Sequence, residues 1–163
     1  LMTVLNWLAT PDARYQKGIM IGFDGRHTRA HIYRSILEAV AMTIRKHVED
    51  MCNEVGASLD KMIITGGGSN SDLFMQIFAD VLNMPVVRNE VNGAAGLGSA
   101  ICAAVAAGVY DSFESAVEHM VRIRDRFEPI PEHTDVYNRM MPIYHSITQY
   151  TDPILKQSYE LFE

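Results

Sequence analysis

The sequence has little cysteine, no run of basic residues and no long hydrophobic run, and each shortage removes a class of protein. Only Cys52 and Cys102 occur in 163 residues. That is too few for a disulfide scaffold, so a reducing compartment such as the cytoplasm is expected. Both lie in helix-like apolar patterns and read as buried thiols acting as small hydrophobes. The formal charge is −6 and no Lys/Arg cluster interrupts it, which disfavours nucleic acid, because phosphate binding needs a concentrated basic face. The longest apolar stretch, Ala94–Val109, is too short and too rich in Ala and Gly to span a membrane. No signal peptide opens the chain. The first residue is Leu1 rather than Met, which reads as a fragment or a processed chain.

What is present is a globular composition, 48% hydrophobic and 21% charged. The length suits one domain, 1–163, with a real core. Leu1–Gln16 reads as extended or loop, and Gly18–Gly22 as a short buried strand between glycines. From Ala30 to Val55 the apolar residues Ile32, Ile36, Val40, Ile44, Val48, Met51 and Val55 recur at helical spacing and predict one buried stripe. Gly56 is placed to end that helix in the left-handed conformation. Lys61–Thr65 and Pro85–Arg88 read as strands, and Asp72–Leu82 and Gly93–Ala107 as helices. Asp111-Ser112-Phe113-Glu114 opens a further helix. Arg122–Pro131 is extended or irregular, its three arginines alternating on a solvated face. Thr134–Phe162 is helical, with Pro142 and Pro153 expected to kink or break it. Strand–helix alternation predicts an α/β domain with parallel pairing at its centre.

The chemistry is concentrated in Thr65-Gly66-Gly67-Gly68-Ser69-Asn70-Ser71, a strand end, a glycine turn and a helix start. Glycines let backbone approach a flat ligand, and the helix start offers unpaired N–H groups. Such a corner holds a phosphate or a nucleoside, or is simply a tight turn. It is not a P-loop, because Ser69 follows Gly68 where a lysine is needed. It is not the dinucleotide fingerprint either, since Ser71 stands where a third glycine belongs. A second cluster, Gly93-Ala94-Ala95-Gly96-Leu97-Gly98-Ser99-Ala100, reads as a close-packing helix, a hinge or an interdomain contact helix.

Three segments together resemble the C-terminal domain of the FGGY family of carbohydrate kinases. The first is Gly18-Ile19-Met20-Ile21-Gly22-Phe23, a seven-residue spacer, then His31-Ile32-Tyr33-Arg34-Ser35-Ile36-Leu37-Glu38. The second is Gly66–Ser71 with the helix Met75-Gln76-Ile77-Phe78-Ala79-Asp80, similar to the family's adenosine motif. The third is Gly96-Leu97-Gly98-Ser99-Ala100. The tail carrying Tyr137, Tyr144 and Tyr150 is similar to the family's last helix. The resemblance implies a ribonuclease H-like (actin-like ATPase) fold, truncated, with extra C-terminal helices.

It further implies transfer of the γ-phosphate of ATP to a sugar hydroxyl, with Mg²⁺. Gly66, Gly67 and Gly68 would lie along the adenosine, with Asn70 and Ser71 beside the adenine. The sugar, the phosphate loop and the catalytic aspartate would belong to an N-terminal domain, leaving this chain alone inactive. His27-Thr28-Arg29-Ala30-His31 looks most like the branch acting on pentuloses and gluconate. The family's first strands form a three-strand meander, of which one or two are found before Ala30. An open sheet edge is therefore expected, filled by the rest of the molecule or by a second copy as a homodimer.

Other constellations read as structural. Asp24 and Asp72 are a turn residue and a first-turn residue. His27 and His31 have helical spacing but no third metal ligand. The methionines, among them Met51, Met62, Met75 and Met141, read as core or gap filling. The competing reading is a non-catalytic module that binds nucleotide or only oligomerises.

Overall fold

A computed structural model describes residues 1–7 and 10–162. The chain divides into two compact units. One joins Leu1–Ala57 to Pro131–Glu163, and the other is Ser58–Ile130.

In the first unit, β1 (Met2–Val4) pairs antiparallel with β2 (Ile19–Ile21), Thr3 lying opposite Met20. The expected buried strand is therefore half of a ribbon that has two strands among the described residues, and Ile21 is exposed. Helix α1 (Arg29–Val55) begins within a residue of the predicted start. The Thr28 amide donates to Nδ1 of His31 at 3.1 Å. Gly56 ends the helix at φ 66°, its N–H bonded to the Cys52 carbonyl, a left-handed cap that glycine adopts without strain.

The buried face of α1 is not the predicted stripe. Ser35, Leu37, Ala39, Ala41, Met42 and Val48 are buried, whereas Met51 and Val55 are exposed. Small residues allow close approach, and Ser35 is buried at little cost because its hydroxyl bonds Thr3 Oγ1 at 2.8 Å and the Ile32 carbonyl at 2.8 Å.

Helix α5 (Pro131–Glu160) continues through both Pro142 and Pro153, so the expected break does not occur. It buries Thr134, Tyr137, Met141, Tyr144 and Ile147, a helical stripe. Its two buried tyrosines keep polar partners on α1. Tyr137 donates to Glu38 Oε1 at 2.9 Å, and the Tyr144 hydroxyl meets Thr43 Oγ1 at 2.9 Å. Burial, then the Glu38 charge, pushes the Tyr137 phenol up to about 12.

In the second unit the sheet order is β3 (Met62–Ile63), β4 (Val86–Asn89), β5 (Ile123–Phe127). β3 and β4 are parallel, with Met62 opposite Val86. β4 and β5 are antiparallel, with Val86 opposite Phe127. Parallel pairing is thus one interface of a mixed sheet. Among the described residues β3 has a strand partner on one side only, and Ile63 is half exposed there.

Helix α2 (Asp72–Leu82) matches its predicted span and buries Met75, Ile77, Phe78, Ala79, Val81 and Leu82. Buried Asp80 accepts from Gln76 Nε2 and from the Ile130 amide, both at 2.8 Å. Helix α3 (Ala94–Ala106) packs on α4 (Phe113–Met120). The Ser112 hydroxyl caps α4 by accepting from the Ser115 amide.

The thiols depart from expectation: Cys52 is only half-buried and Cys102 is exposed. The reason for Cys102 is that Ile101 is the one buried residue of α3. Arg122, Arg124 and Arg126 are exposed, as their alternation predicts. No helix among the described residues is long and apolar enough to cross a membrane.

Candidate functional site

The glycine turn lies where β3 ends. Gly66 precedes a single 3₁₀ turn, Gly67–Asn70, and Ser71 then caps α2, its Oγ accepting from the Phe74 amide at 3.3 Å. The turn is closed by short bonds. The Ser69 amide and hydroxyl both donate to the Gly66 carbonyl, at 3.1 and 2.7 Å, and the Ser71 amide donates to the Gly68 carbonyl at 3.1 Å. Ser69 is fully buried beneath the turn. Gly66, Gly67, Gly68 and Asn70 are exposed above it.

The three glycines differ in why they are glycines. Gly66 has φ 85° and ψ −178°, a region reserved for glycine. A Cβ on Gly68 would stand 3.0 Å from Phe74 Cε1, tighter than ordinary packing. Gly67 has neither reason: its φ is not positive, and among the described residues nothing lies within 4 Å of the Cβ it lacks. Folding does not demand glycine there, while a flat ligand lying along the turn would.

The turn is tied to the sheet from two sides. On one side the Gly66 amide donates to the Asn92 carbonyl at 2.7 Å, and Asn92 Nδ2 donates to Asn70 Oδ1 at 2.9 Å. On the other, Arg88 of β4 donates through Nη1 to the Ser69 carbonyl at 2.7 Å and through Nη2 to Asp72 Oδ1 at 2.7 Å. Its Nε donates to Asp125 Oδ2 on β5 at 2.6 Å. Arg88 and Asn92 escaped the sequence reading. The available signal was an arginine closing the apolar strand Pro85-Val86-Val87, a place where a charge needs partners.

The charges at this corner are already paired within the chain. The α2 start already carries the Asp72 carboxylate and the Ser71 cap, and Arg88 is shared between two carboxylates. A phosphate placed there would face the Asp72 carboxylate, and Arg88 is already committed to Asp72 and Asp125. The Ser71 oxygen is used as the cap, which leaves its hydroxyl proton to donate.

Among the described residues no three His, Cys, Asp or Glu side chains come together as metal ligands. Asp72 and Asp125 are engaged by Arg88, so the residues present do not fit a Mg²⁺ cage. His27 and His31 turn Nδ1 to the Asp24 and Thr28 amides, at 2.9 and 3.1 Å, as ordinary turn and cap partners. Asp24 is a turn residue too. The Arg26 side chain and amide bind its carboxylate and hold it below the usual carboxylate range.

On α3, a Cβ at Gly93, Gly96 or Gly98 would meet nothing within 4 Å among the described residues. Close packing within the described chain therefore does not account for these three glycines.

Residues 6–107 match the model of the C-terminal domain of the FGGY family of carbohydrate kinases. The chain belongs to this family. It is 53% identical over 162 residues to an uncharacterized sugar kinase, YgcE, of Escherichia coli (strain K12), covering 99% of this chain and 33% of that protein. It is 38% identical over 115 residues to glycerol kinase of Deinococcus radiodurans, covering 71% of the chain and 23% of the relative. The crystal structure of xylulose kinase from Rhodospirillum rubrum superposes with a TM-score of 0.79 at 28% identity, over 96% of this chain and 31% of that one. The chain thus spans about a third of the length of YgcE. The FGGY family and its C-terminal domain, expected from three motifs, are shown.

Proposed function

We propose that this chain is the nucleotide-binding part of a carbohydrate kinase, with Gly66, Gly67 and Gly68 laid along the adenosine of ATP and Asn70 and Ser71 beside the adenine. The observation that carries this reading is Gly67, an exposed glycine whose missing side chain leaves open space and whose backbone needs no glycine. Family membership supports phosphoryl transfer from ATP to a sugar hydroxyl. A pentulose or related sugar or sugar acid is the proposed acceptor. The likeness to a xylulose kinase favours it, and the likeness to a glycerol kinase keeps smaller polyols in the panel to be tested.

Phosphoryl transfer depends on positioning and charge stabilisation more than on covalent chemistry. In this reading the chain supplies positioning: it anchors the nucleoside so that the phosphates project away from the Asp72 carboxylate. Mg²⁺, if carried by those phosphates, would supply charge neutralisation there, since Asp72 and Asp125 are engaged by Arg88. Both units, residues 1–163, belong to one nucleotide-binding lobe of an α/β, actin-like ATPase fold in the cytoplasm. The proton acceptor and the main sugar contacts lie in other parts of the kinase, so the chain alone is inactive.

A coupled assay of ADP release by the complete gene product, across pentuloses, sugar acids and glycerol, tests the activity. Phosphorylation of one acceptor class with ATP is expected. Nucleotide binding without turnover on any acceptor would favour the non-catalytic module.

A further inference from the structure

Arg88 is a buried guanidinium, 4% exposed, at the end of the central strand of its sheet. Its side chain reaches three different elements. Asp125 belongs to β5, the Ser69 carbonyl to the glycine turn, and Asp72 to the first turn of α2. The Phe127 ring lies 5.2 Å from the guanidinium carbon and covers it. The three acceptors are met by three different nitrogens, Nε, Nη1 and Nη2, of one rigid plane; a lysine carries its three donors on a single nitrogen and cannot span them, so it is no substitute here.

Arg88 does not face the exposed side of the turn. It lies beneath, with the buried Ser69 whose carbonyl it holds. Ser69 in turn bonds the Gly66 carbonyl, so the charge fixes the height of the turn through one intermediate residue. Asn92 fixes the other end through the Gly66 amide.

We propose that Arg88 is a positioning residue for the nucleotide site: it holds the Ser69 carbonyl and the Asp72 carboxylate and so keeps the Gly66–Gly68 backbone in the shape that receives adenosine. This deepens, and rests on, the nucleotide reading above. Asp125 serves as the anchor that keeps the guanidinium aimed at the turn.

The test uses the complete gene product with Arg88→Lys, Arg88→Met and Asp125→Asn. Two quantities are read: steady-state kinetics with ATP and acceptor varied separately, and hydrogen exchange of the Gly66–Ser71 amides. In Arg88→Lys the KM for ATP should rise on the order of tenfold while the acceptor KM stays unchanged, because sub-ångström loosening of a supporting residue is felt at the site it supports. Exchange at the Ser69 and Ser71 amides should quicken. Arg88→Met should be worse than Arg88→Lys, and Asp125→Asn milder.

If Arg88→Met does not fold, the lysine and Asp125→Asn variants still decide. Wild-type ATP KM and wild-type exchange in Arg88→Lys would overturn the proposal. An equal rise in both KM values would also overturn it, by showing a general structural role. If the wild-type protein binds no adenine nucleotide, yet exchange quickens in Arg88→Lys, the nucleotide reading fails and the proposed role with it, while the tethering of the turn stands.

Discussion

Replacing Gly67 with leucine separates a ligand-bearing glycine from a folding glycine. Beyond its chain neighbours, no atom of the described residues stands within 4 Å of the Cβ position, and the backbone is not in the left-handed region. The added side chain therefore enters open space, and the change in folding free energy should stay within about 0.5 kcal/mol. A ring lying on the turn would lose its contact. If roughly ten atom pairs at ~0.1–0.2 kcal/mol each are forfeited, the loss is about 1–2 kcal/mol, which corresponds to about 5- to 30-fold in Kd. Calorimetric titration with ADP, paired with a urea melt, reads both quantities. An unchanged Kd in a normally folded Gly67→Leu variant would refute the reasoning. A large loss of stability would refute its premise that the position is open.

Gly66→Ala should behave oppositely, losing roughly 1–3 kcal/mol of stability because alanine cannot rest at φ 85°, ψ −178°; urea denaturation measures it. Met42→Ala, at 1% exposure, should cost about 2–5 kcal/mol. Met51→Ala, at 57% exposure, should stay within about 0.5 kcal/mol, and the urea midpoints of the pair report which face of α1 is buried. Alkaline pH should destabilise the protein through Tyr137. Its phenol is raised from 10 to about 12 on folding, so the stability it confers is complete below pH 10 and is lost as pH rises through 12. The full shift corresponds to roughly 2–3 kcal/mol, and solvent screening around the Glu38–Arg34 pair should reduce it to on the order of 1–2 kcal/mol. Urea midpoints from pH 9 to 12 should fall less steeply in Tyr137→Phe than in wild type.

Local rules made the α2 span and the α1 start legible, because Ser71 is a capping residue before α2 and the apolar residues from Ile32 onward recur at helical spacing. The family was legible because the glycine turn and the segments before and after it kept their order and spacing. The buried face of α1 was not, since the partners that bury Ser35 and Ala39 in place of Ile36 and Val40 come from elsewhere in the chain, and tertiary contact overrides periodicity. At Pro142 and Pro153, where a kink or a break was expected, α5 runs on without a break for a related reason. A proline's local cost is offset where the helix is packed, and Met141, Tyr144 and Ile147 are buried around the first of them. Within the site, the glycines could be read from sequence but their separate reasons could not. φ at Gly66, the Phe74 ring at Gly68 and the emptiness at Gly67 exist only in the folded chain. Arg88 was read as a strand residue because its partners Ser69, Asp72 and Asp125 are distant in sequence.

The central claim is that adenosine lies on Gly66–Ser71. A crystal structure of the complete gene product with bound ADP tests it most directly. The account predicts the nucleoside in van der Waals contact with the Gly67 Cα, its phosphates directed away from Asp72, and the Arg88 bonds to Ser69 and Asp72 intact. ADP bound anywhere that leaves the Gly66–Gly68 backbone solvated would contradict it.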